Sequence, residues 1–296
     1  MEGGSYSGPR APNPFCASTA KGQPPKRWKP LWTMEKGLSV NSPNHSETLD
    51  VLRKWDLRVI QGAKGYRFSI DSLILASLAH PPHRGRILDL GAGCGILGLI
   101  LARRHHSIMV TGVEIQPQLA ERARKNVTLN KLEDRVEILV GSYSHIEELV
   151  PEASYHYVIT NPPYRKVGTG RLNPQEEKAI ARHEMHGGLD ALLRAVHYAL
   201  VPKGKLGIIF SATRTVDLLH LCRLHGVEPK RVRLIHPYLG EEAQGIFLEG
   251  VKGGKEGEVR VEPPLFIYSS PGTYTSEVAE MLGEEKVEGG RMRDEG

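Results

Sequence analysis

The sequence has only three cysteines in 296 residues, Cys16, Cys94 and Cys222, and they stand far apart. This spacing matches neither a disulfide framework nor a metal site, and it favours a reducing compartment such as the cytosol. The chain also has no apolar run near the roughly 20 residues that a membrane-spanning helix needs. Its N-terminus has no apolar segment followed by a cleavage site. We therefore predict a cytoplasmic protein that contains no metal and does not contact a membrane.

The formal net charge of +5 is unevenly distributed. Residues 1–33 hold five basic residues, one acid and six of the 20 prolines. This composition predicts a disordered, basic, proline-rich arm over residues 1–45, a single folded domain over 46–283 and a flexible tail over 284–296. Five basic residues are a weak signal for nucleic-acid binding, and we expect the arm to be dispensable, with Met34 as an alternative start.

Short apolar runs alternate with helix-like stretches from residue 86 onward. The predicted strands are residues 86–91, 108–114, 136–141, 155–160 and 205–210. Strands that alternate with helices indicate an α/β fold, with a parallel sheet and right-handed crossovers. Two further extended runs, 232–237 and 244–251, predict an antiparallel hairpin at one sheet edge. Residues 47–61 predict a short helix followed by a strand.

A glycine-rich loop follows the first of these strands. Gly91, Gly93 and Gly95 let the backbone turn tightly and approach a ligand without a Cβ in the way. A dinucleotide site would place its third glycine one residue later. Asp89, two residues before the loop, would repel a pyrophosphate but would attract an ammonium group.

Glu114 ends the next strand, 19 residues after Gly95. A carboxylate at that strand end can accept hydrogen bonds from both hydroxyls of a ribose. An acid exposed to solvent is the ordinary alternative for Glu114 taken alone. Together the glycine loop, Asp89 and Glu114 indicate a site for S-adenosylmethionine, to which we also assign Ile115.

The order of these motifs over residues 86–210 resembles that of a class I methyltransferase. The resemblance implies a Rossmann-like sheet of seven mostly parallel strands, with an antiparallel hairpin at one edge and helices on both faces. It also implies S-adenosylmethionine as the cofactor.

The segment Asn161-Pro162-Pro163-Tyr164 follows the fourth strand of this pattern. The amide carbonyl of Asn161 and the backbone carbonyl of Pro162 can accept hydrogen bonds from the two N–H groups of an exocyclic amine. Such acceptors stabilise the positive charge that develops when the amine nitrogen attacks a methyl group. The ring of Tyr164 can stack on a flipped or unpaired base, which contributes roughly 1–3 kcal/mol. The motif predicts an amino-methyltransferase but does not distinguish adenine, guanine and glutamine as the acceptor.

A closer resemblance spans roughly residues 47–283. The segments at 61–79, 161–174, 181–184 and 261–282 resemble the bacterial tRNA (adenine-N6)-methyltransferases that modify the adenine beside the anticodon of a valine tRNA. This resemblance implies tRNA as the partner, and it implies that Phe68 and Asp71 contact the methyl donor; we expect a monomer. The chain departs from the family after the third strand, where Ser142 or its backbone must contact the adenine of the donor.

Several basic residues lie close to the predicted acceptor site. As a cluster they predict contacts with the phosphates of a tRNA loop, although each one alone is more typical of an exposed loop. The cluster comprises Arg165, Lys166, Arg171, Lys178, Arg182 and His183. The histidines of the segment at 183–186 are three residues apart, not four as in the helical zinc motif, so we predict no metal there.

Two other methyltransferase classes remain as alternatives. A protein (glutamine-N5) methyltransferase acting on release factors would share the Asn-Pro-Pro-Tyr chemistry, but it carries a helical bundle for which residues 46–85 are too short. A guanine-N2 methyltransferase of ribosomal RNA usually duplicates the domain. A donor-binding protein without activity is disfavoured, because both halves of the predicted site are present.

Overall fold

A computed structural model of the chain describes residues 40–41, 47–63, 67–162 and 188–283. These ranges contain fourteen strands and six α-helices. The strands are β1 (Val40–Asn41), β2 (Glu47–Leu52), β3 (Leu57–Gly62), β4 (Arg84–Leu90), β5 (Ser107–Glu114), β6 (Val136–Val140), β7 (Tyr155–Thr160), β8 (Leu200–Ser211), β9 (Val227–His236), β10 (Gly245–Lys252), β11 (Arg260–Val261), β12 (Leu265–Phe266), β13 (Tyr268–Ser270) and β14 (Thr273–Tyr274). The helices are α1 (Ile70–Leu78), α2 (Ile96–Arg104), α3 (Pro117–Leu129), α4 (Gly188–Ala199), α5 (Thr215–Leu224) and α6 (Ser276–Leu282). None of the helices in these ranges is long and apolar enough to cross a membrane.

The main sheet has the strand order β6-β5-β4-β7-β8-β10-β9. Strands β6 to β8 in this order run parallel, and β10 is antiparallel to both of its neighbours, β8 and β9. The short strands β11 and β12 extend the sheet by pairing with β9. The predicted fold class is therefore confirmed, and the predicted hairpin is β9–β10, with β10 inserted between β8 and β9. Because the chain order reverses between β4 and β7, a crevice for ligands is expected at their carboxyl ends.

Buried apolar side chains cover both faces of the sheet. On one face the cluster includes α1, α2, α3 and α6, and on the other it includes α4 and α5. The pattern of α4 shows why, since Leu189, Leu192, Leu193 and Val196 recur at helical spacing and are all buried. Each fully buried side chain of this size contributes about 1.5–3 kcal/mol, so the two clusters provide most of the stabilisation and fix the helices against the sheet.

The prediction of a short helix in the first part of residues 47–61 is wrong. The chain forms an antiparallel hairpin there, in which β2 pairs with β3 and a single 3-10 turn, Arg53–Trp55, connects them. Asp56 closes the turn with φ of +49°, a conformation that aspartate tolerates better than most residues. Leu57 and Val59 point into the core while Arg58 is exposed, which is the alternation of a strand with one buried face.

Two asparagines, Asn126 in α3 and Asn130 directly after its end, hold the outer edge of β3. Asn126 accepts from the Ile60 N–H at 2.7 Å and donates to the Ile60 carbonyl at 3.0 Å, and Asn130 makes the same pair of contacts with Arg58 at 2.9 and 2.7 Å. The spacing fits, because four residues of a helix advance about 6 Å and two residues of a strand about 6.8 Å. The hairpin is thereby fixed to the helix that follows β5.

Candidate active site

Four neighbouring strands end at the same edge of the sheet, and each carries a residue that the sequence singled out. Asp89 pairs with Ile159 on one side and with Gly112 on the other. Two residues further along, Gly91 is therefore level with Asn161 and with Glu114. Ser142 follows β6 by two residues. From Asn161 to Ser142 the row spans three strand spacings, about 14 Å, which suits an elongated ligand.

Hydrogen bonds to the neighbouring strand, β5, fix the glycine loop. The N–H groups of Gly91 and Ala92 both donate to the Val113 carbonyl, at 2.9 and 3.0 Å. Gly91, Gly93 and Gly95 have φ of +77°, +58° and +85°, so the loop requires residues without a Cβ. Apart from its chain neighbours, no atom of the described residues lies within 4 Å of the position that a Cβ of Gly91 would take, so the backbone is open to a ligand there.

Glu114 links the loop to the end of β5. Its carboxylate accepts from the Gly93 N–H and from the Gln116 N–H, each at 2.8 Å, and the residue is 5% exposed. Burial raises the pKa of Glu114, while the backbone amides of Gln116, Gly93 and Ile115 oppose that rise. The residue is therefore not an acid that merely faces solvent. Each carboxylate oxygen can accept a second hydrogen bond, so the group can still bind a pair of hydroxyls.

A depression opens beside Glu114, at the carboxyl ends of β4, β5 and β6. Its empty volume is about 300 Å³, including space that is open to solvent. The lining residues are Gly91, Val113, Glu114, Ile115, Gly141, Ser142 and Tyr143. The Ser142 hydroxyl accepts from the Ser144 N–H at 3.2 Å, so the side chain caps the turn that follows. Burial raises the pKa of Tyr143 to about 12, so its ring is a neutral, largely apolar wall.

Asp89 lies beneath the loop and is not part of the lining. It is 1% exposed, and neither carboxylate oxygen has a hydrogen-bond partner among the described residues. Burial raises the pKa of Asp89 to about 7, opposed in part by the Gly98 amide and reinforced by the charge of Glu114. Gly98 allows close packing beside this carboxyl, since a Cβ there would lie only 3.2 Å from Val110 Cγ1.

The segment before α1 connects the N-terminal hairpin to the site. The Phe68 N–H donates to Gln61 Oε1 at 2.8 Å, and Arg67 forms an ion pair with Asp50 at 2.8 Å. The Phe68 side chain packs against the core. Asp71 is 5% exposed and accepts from the Ser69 hydroxyl at 3.1 Å. Burial raises the pKa of Asp71 to about 6. The contact of Phe68 and Asp71 with a methyl donor stays a prediction.

Asn161 and Pro162 lie where β7 ends, and Pro162 is buried. The Thr160 hydroxyl donates to the Leu90 carbonyl at 2.7 Å, which ties the end of β7 to the start of the glycine loop. The Asn161 side chain donates through Nδ2 to the Ser72 hydroxyl at 2.9 Å. The two halves of the predicted site, donor loop and acceptor motif, therefore meet at adjacent strands.

Two residues near the site were not singled out in the sequence. Ser72 contacts Asn161 from α1, and Asn126 donates to the Cys94 carbonyl of the glycine loop at 3.0 Å while it holds β3. Ser72 is a serine in an apolar helix and belongs to no recognisable sequence motif. The sequence gives only a weak indication of Asn126, because Asn126 and Asn130 are four residues apart, a spacing that brings side chains together on a helix and its C-terminal cap.

Comparisons with known proteins agree with this geometry. The family profile described as methyltransferase small domain matches residues 67–216. The chain belongs to the methyltransferase small domain family. It is similar to two proteins named tRNA1(Val) (adenine(37)-N6)-methyltransferase, from Dyadobacter fermentans (30% identical, 72% of this chain and 87% of that protein) and Pedobacter heparinus (29%, 71% and 86%). A solved structure titled as a predicted O-methyltransferase from Agrobacterium tumefaciens is 25% identical, with a TM-score of 0.58 over 72% of this chain and 95% of the other.

The predictions of a class I methyltransferase and of its cofactor, S-adenosylmethionine, are thus confirmed, and the residues of this methyltransferase fit the cofactor. The open backbone of Gly91 allows a ligand to approach the loop closely. The carboxylate of Glu114 can bind a pair of hydroxyls on that ligand. Val113, Ile115 and Tyr143 offer apolar surface to a base. The buried carboxyl of Asp89 has no partner among the described residues and favours a cationic group above the loop.

Other predicted site residues lie outside the described residues. They are Tyr164, Arg165, Lys166, Arg171, Arg182 and His183, and the same holds for the segment at 183–186. The predicted tail and all but residues 40–41 of the predicted arm also lie outside. These assignments stay predictions.

Proposed function

We propose that this methyltransferase transfers a methyl group to the exocyclic N6 amine of an adenine in tRNA, beside the anticodon of a valine tRNA. The observation that carries the proposal is the position of Asn161. It follows β7, level with Gly91 of the donor loop, and its amide is fixed by Ser72 at 2.9 Å. The names of the two relatives support tRNA as the substrate class, and the bacterial cytoplasm follows as the proposed place of action.

When bound, S-adenosylmethionine supplies an electrophilic methyl group. The protein must then make a weakly nucleophilic amine attack it. The Asn161 side-chain carbonyl and the Pro162 main-chain carbonyl accept hydrogen bonds from the two N–H groups of the amine and stabilise the positive charge that develops on nitrogen. Pro162 is rigid and buried, so this part of the backbone is positioned before the substrate binds. The surplus proton of the methylated amine passes to water.

The structure also bears on the alternative of a release-factor methyltransferase. Before β4 and the glycine loop, the described residues form the small sheet β1-β2-β3 and the single α-helix α1, with no helical bundle among them. This arrangement supports a nucleic-acid substrate over a protein one. The basic residues between Arg165 and His183 are proposed to contact the phosphates of the tRNA loop.

A direct assay tests the proposal. The full chain is incubated with tritiated S-adenosylmethionine and either tRNA lacking the modification or purified release factor, and labelled nucleosides are identified by mass spectrometry. We expect N6-methyladenosine in the tRNA and no label in the protein. Label in the release factor alone, or a methyl group on guanine or on a ribose oxygen, would contradict the proposal.

The matched variant for this assay is Asn161→Ala. It removes one of the two acceptors and should raise the barrier by about 2.7–4 kcal/mol, as the loss of one oxyanion-hole donor does. The rate of methylation should therefore fall roughly 100- to 1,000-fold, while calorimetry shows donor affinity close to that of the unaltered chain. A variant that methylates tRNA at the normal rate would show that Asn161 does not act on the amine.

A further inference from the structure

The structure assigns a role to Ser72 that rests on the function proposed above. We propose that Ser72 is a positioning residue for methyl transfer, because its hydroxyl holds the Asn161 amide with the carbonyl end turned toward the acceptor amine. The contact is direct, since Asn161 Nδ2 donates to Ser72 Oγ at 2.9 Å. The two residues are 89 positions apart in the chain, so the fold, not local sequence, brings them together.

Ser72 is well placed to act as a fixed support. It lies in the first turn of α1, is 2% exposed, and its N–H donates to the Ser69 carbonyl at 3.1 Å. The helix around it is held firmly, since the residues from Ile70 to Ala76 are all buried. At the other end of α1, the Ser77 hydroxyl donates to the Met281 carbonyl at 3.3 Å, which ties the helix to α6. Because α1 is buried and tied to α6, the Ser72 hydroxyl keeps its position and can restrain the Asn161 side chain.

Orientation matters because the two ends of an amide have opposite hydrogen-bonding character. The torsion that turns an asparagine amide is broad and nearly two-fold, so both orientations are accessible unless something selects one. In the productive orientation Oδ1 accepts from the amine of the substrate. In the reversed one, Nδ2 would present an N–H to another N–H and would destabilise the developing charge. By accepting from Nδ2, Ser72 restrains the Asn161 amide in the orientation that the structure shows before the substrate arrives, which lowers the barrier.

The kinetic test compares Ser72→Ala with Ser72→Thr, which keeps a hydroxyl, and with Ser77→Ala, a serine of the same helix that lies away from Asn161. In Ser72→Ala the kcat for tRNA should fall about three- to thirtyfold, as expected for a partly buried amide that loses its partner. KM and donor affinity should change less than twofold. Ser72→Thr should recover most of the rate and Ser77→Ala should keep all of it. Unfolding curves of the three variants separate a loss of rate from a loss of stability.

A double-mutant cycle shows whether Ser72 acts through Asn161. If it does, Ser72→Ala should have no further effect on single-turnover rates in an Asn161→Ala background. An equal proportional loss in both backgrounds would overturn the proposal, because Ser72 would then act by another route. A Ser72→Ala variant with unchanged kcat would overturn it as well.

A measurement without substrate keeps this inference separate from the proposed function. In ¹⁵N-labelled protein, the side-chain amide protons of Asn161, assigned by their absence in Asn161→Asp, should exchange with water faster in Ser72→Ala than in the unaltered chain. Equal exchange rates would mean that Ser72 does not hold the amide. If the contact is present but tRNA is not methylated, the proposed function fails and the same kinetic test applies to the acceptor amine that is found.

Discussion

Replacing Asp89 with asparagine removes a carboxyl from the interior and keeps the size of the side chain. Asp89 is 1% exposed, and burial raises its pKa from 3.8 to about 7. The folded state therefore binds the proton more tightly than the unfolded state does. For this carboxyl, stability is greatest below pH 3.8 and is lost as the pH rises toward 7.

The size of the effect follows from the shift in pKa. Since one pKa unit corresponds to about 1.4 kcal/mol, a shift of this size lowers the free energy of unfolding by about 2–3 kcal/mol between pH 5 and pH 8. Asp89→Asn lacks this term. Its free energy of unfolding, measured relative to the unaltered chain, should rise by that amount over the same pH range.

Urea denaturation followed by circular dichroism at several pH values measures this difference. Comparing the two chains at each pH cancels the contributions of the other titrating groups. Asp134→Asn is the control, because Asp134 is exposed in the turn before β6. A stability difference that stays constant from pH 5 to pH 8 for Asp89→Asn would refute the reasoning.

Two further substitutions test the donor site and its support. Glu114→Ala should weaken the binding of S-adenosylmethionine about 10- to 150-fold, the range for hydrogen bonds to a charged group, and calorimetry on the folded variant with unchanged affinity would speak against the site. Asn126→Ala removes hydrogen bonds to Ile60 and Cys94 from a side chain that is fully buried, and should lower the free energy of unfolding by about 2–4 kcal/mol. Urea titration should show little change for the exposed neighbour Lys125→Ala, and a similarly small change for Asn126→Ala would contradict its role as an anchor.

Much of the sheet could be predicted because its strands carry local signals. The strand over residues 155–160 was predicted with the bounds that the structure shows. Its run Tyr157-Val158-Ile159 places apolar residues on both faces, as buried parallel strands do, and the prolines at 162 and 163 end the pattern. Glu114 was found for a similar reason, since an acid at a strand end, at a set distance from a glycine loop, is visible in the sequence.

The N-terminal hairpin could not be predicted in this way. Residues 47–55 mix polar and apolar positions in a pattern that fits a short helix as well as a strand. Contacts with residues distant in the chain favour the strand. Asn126 and Asn130 form hydrogen bonds with the backbone of Ile60 and Arg58, 66 and 72 positions away. The role of Ser72 could not be predicted for the same reason, since it depends on Asn161, 89 positions away in the chain.

The amides of Asn126 and Asn130, at the C-terminal end of α3, have a consequence for how this chain behaves beside copies of itself. An outer strand offers unpaired N–H and C=O groups, onto which a strand of another molecule can add, and such growth leads to aggregation. On β3, the outward groups of Arg58 and Ile60 are already bonded to Asn130 and Asn126. A helix thus takes the place that an invading strand would need, and this border of the hairpin is closed to intermolecular growth.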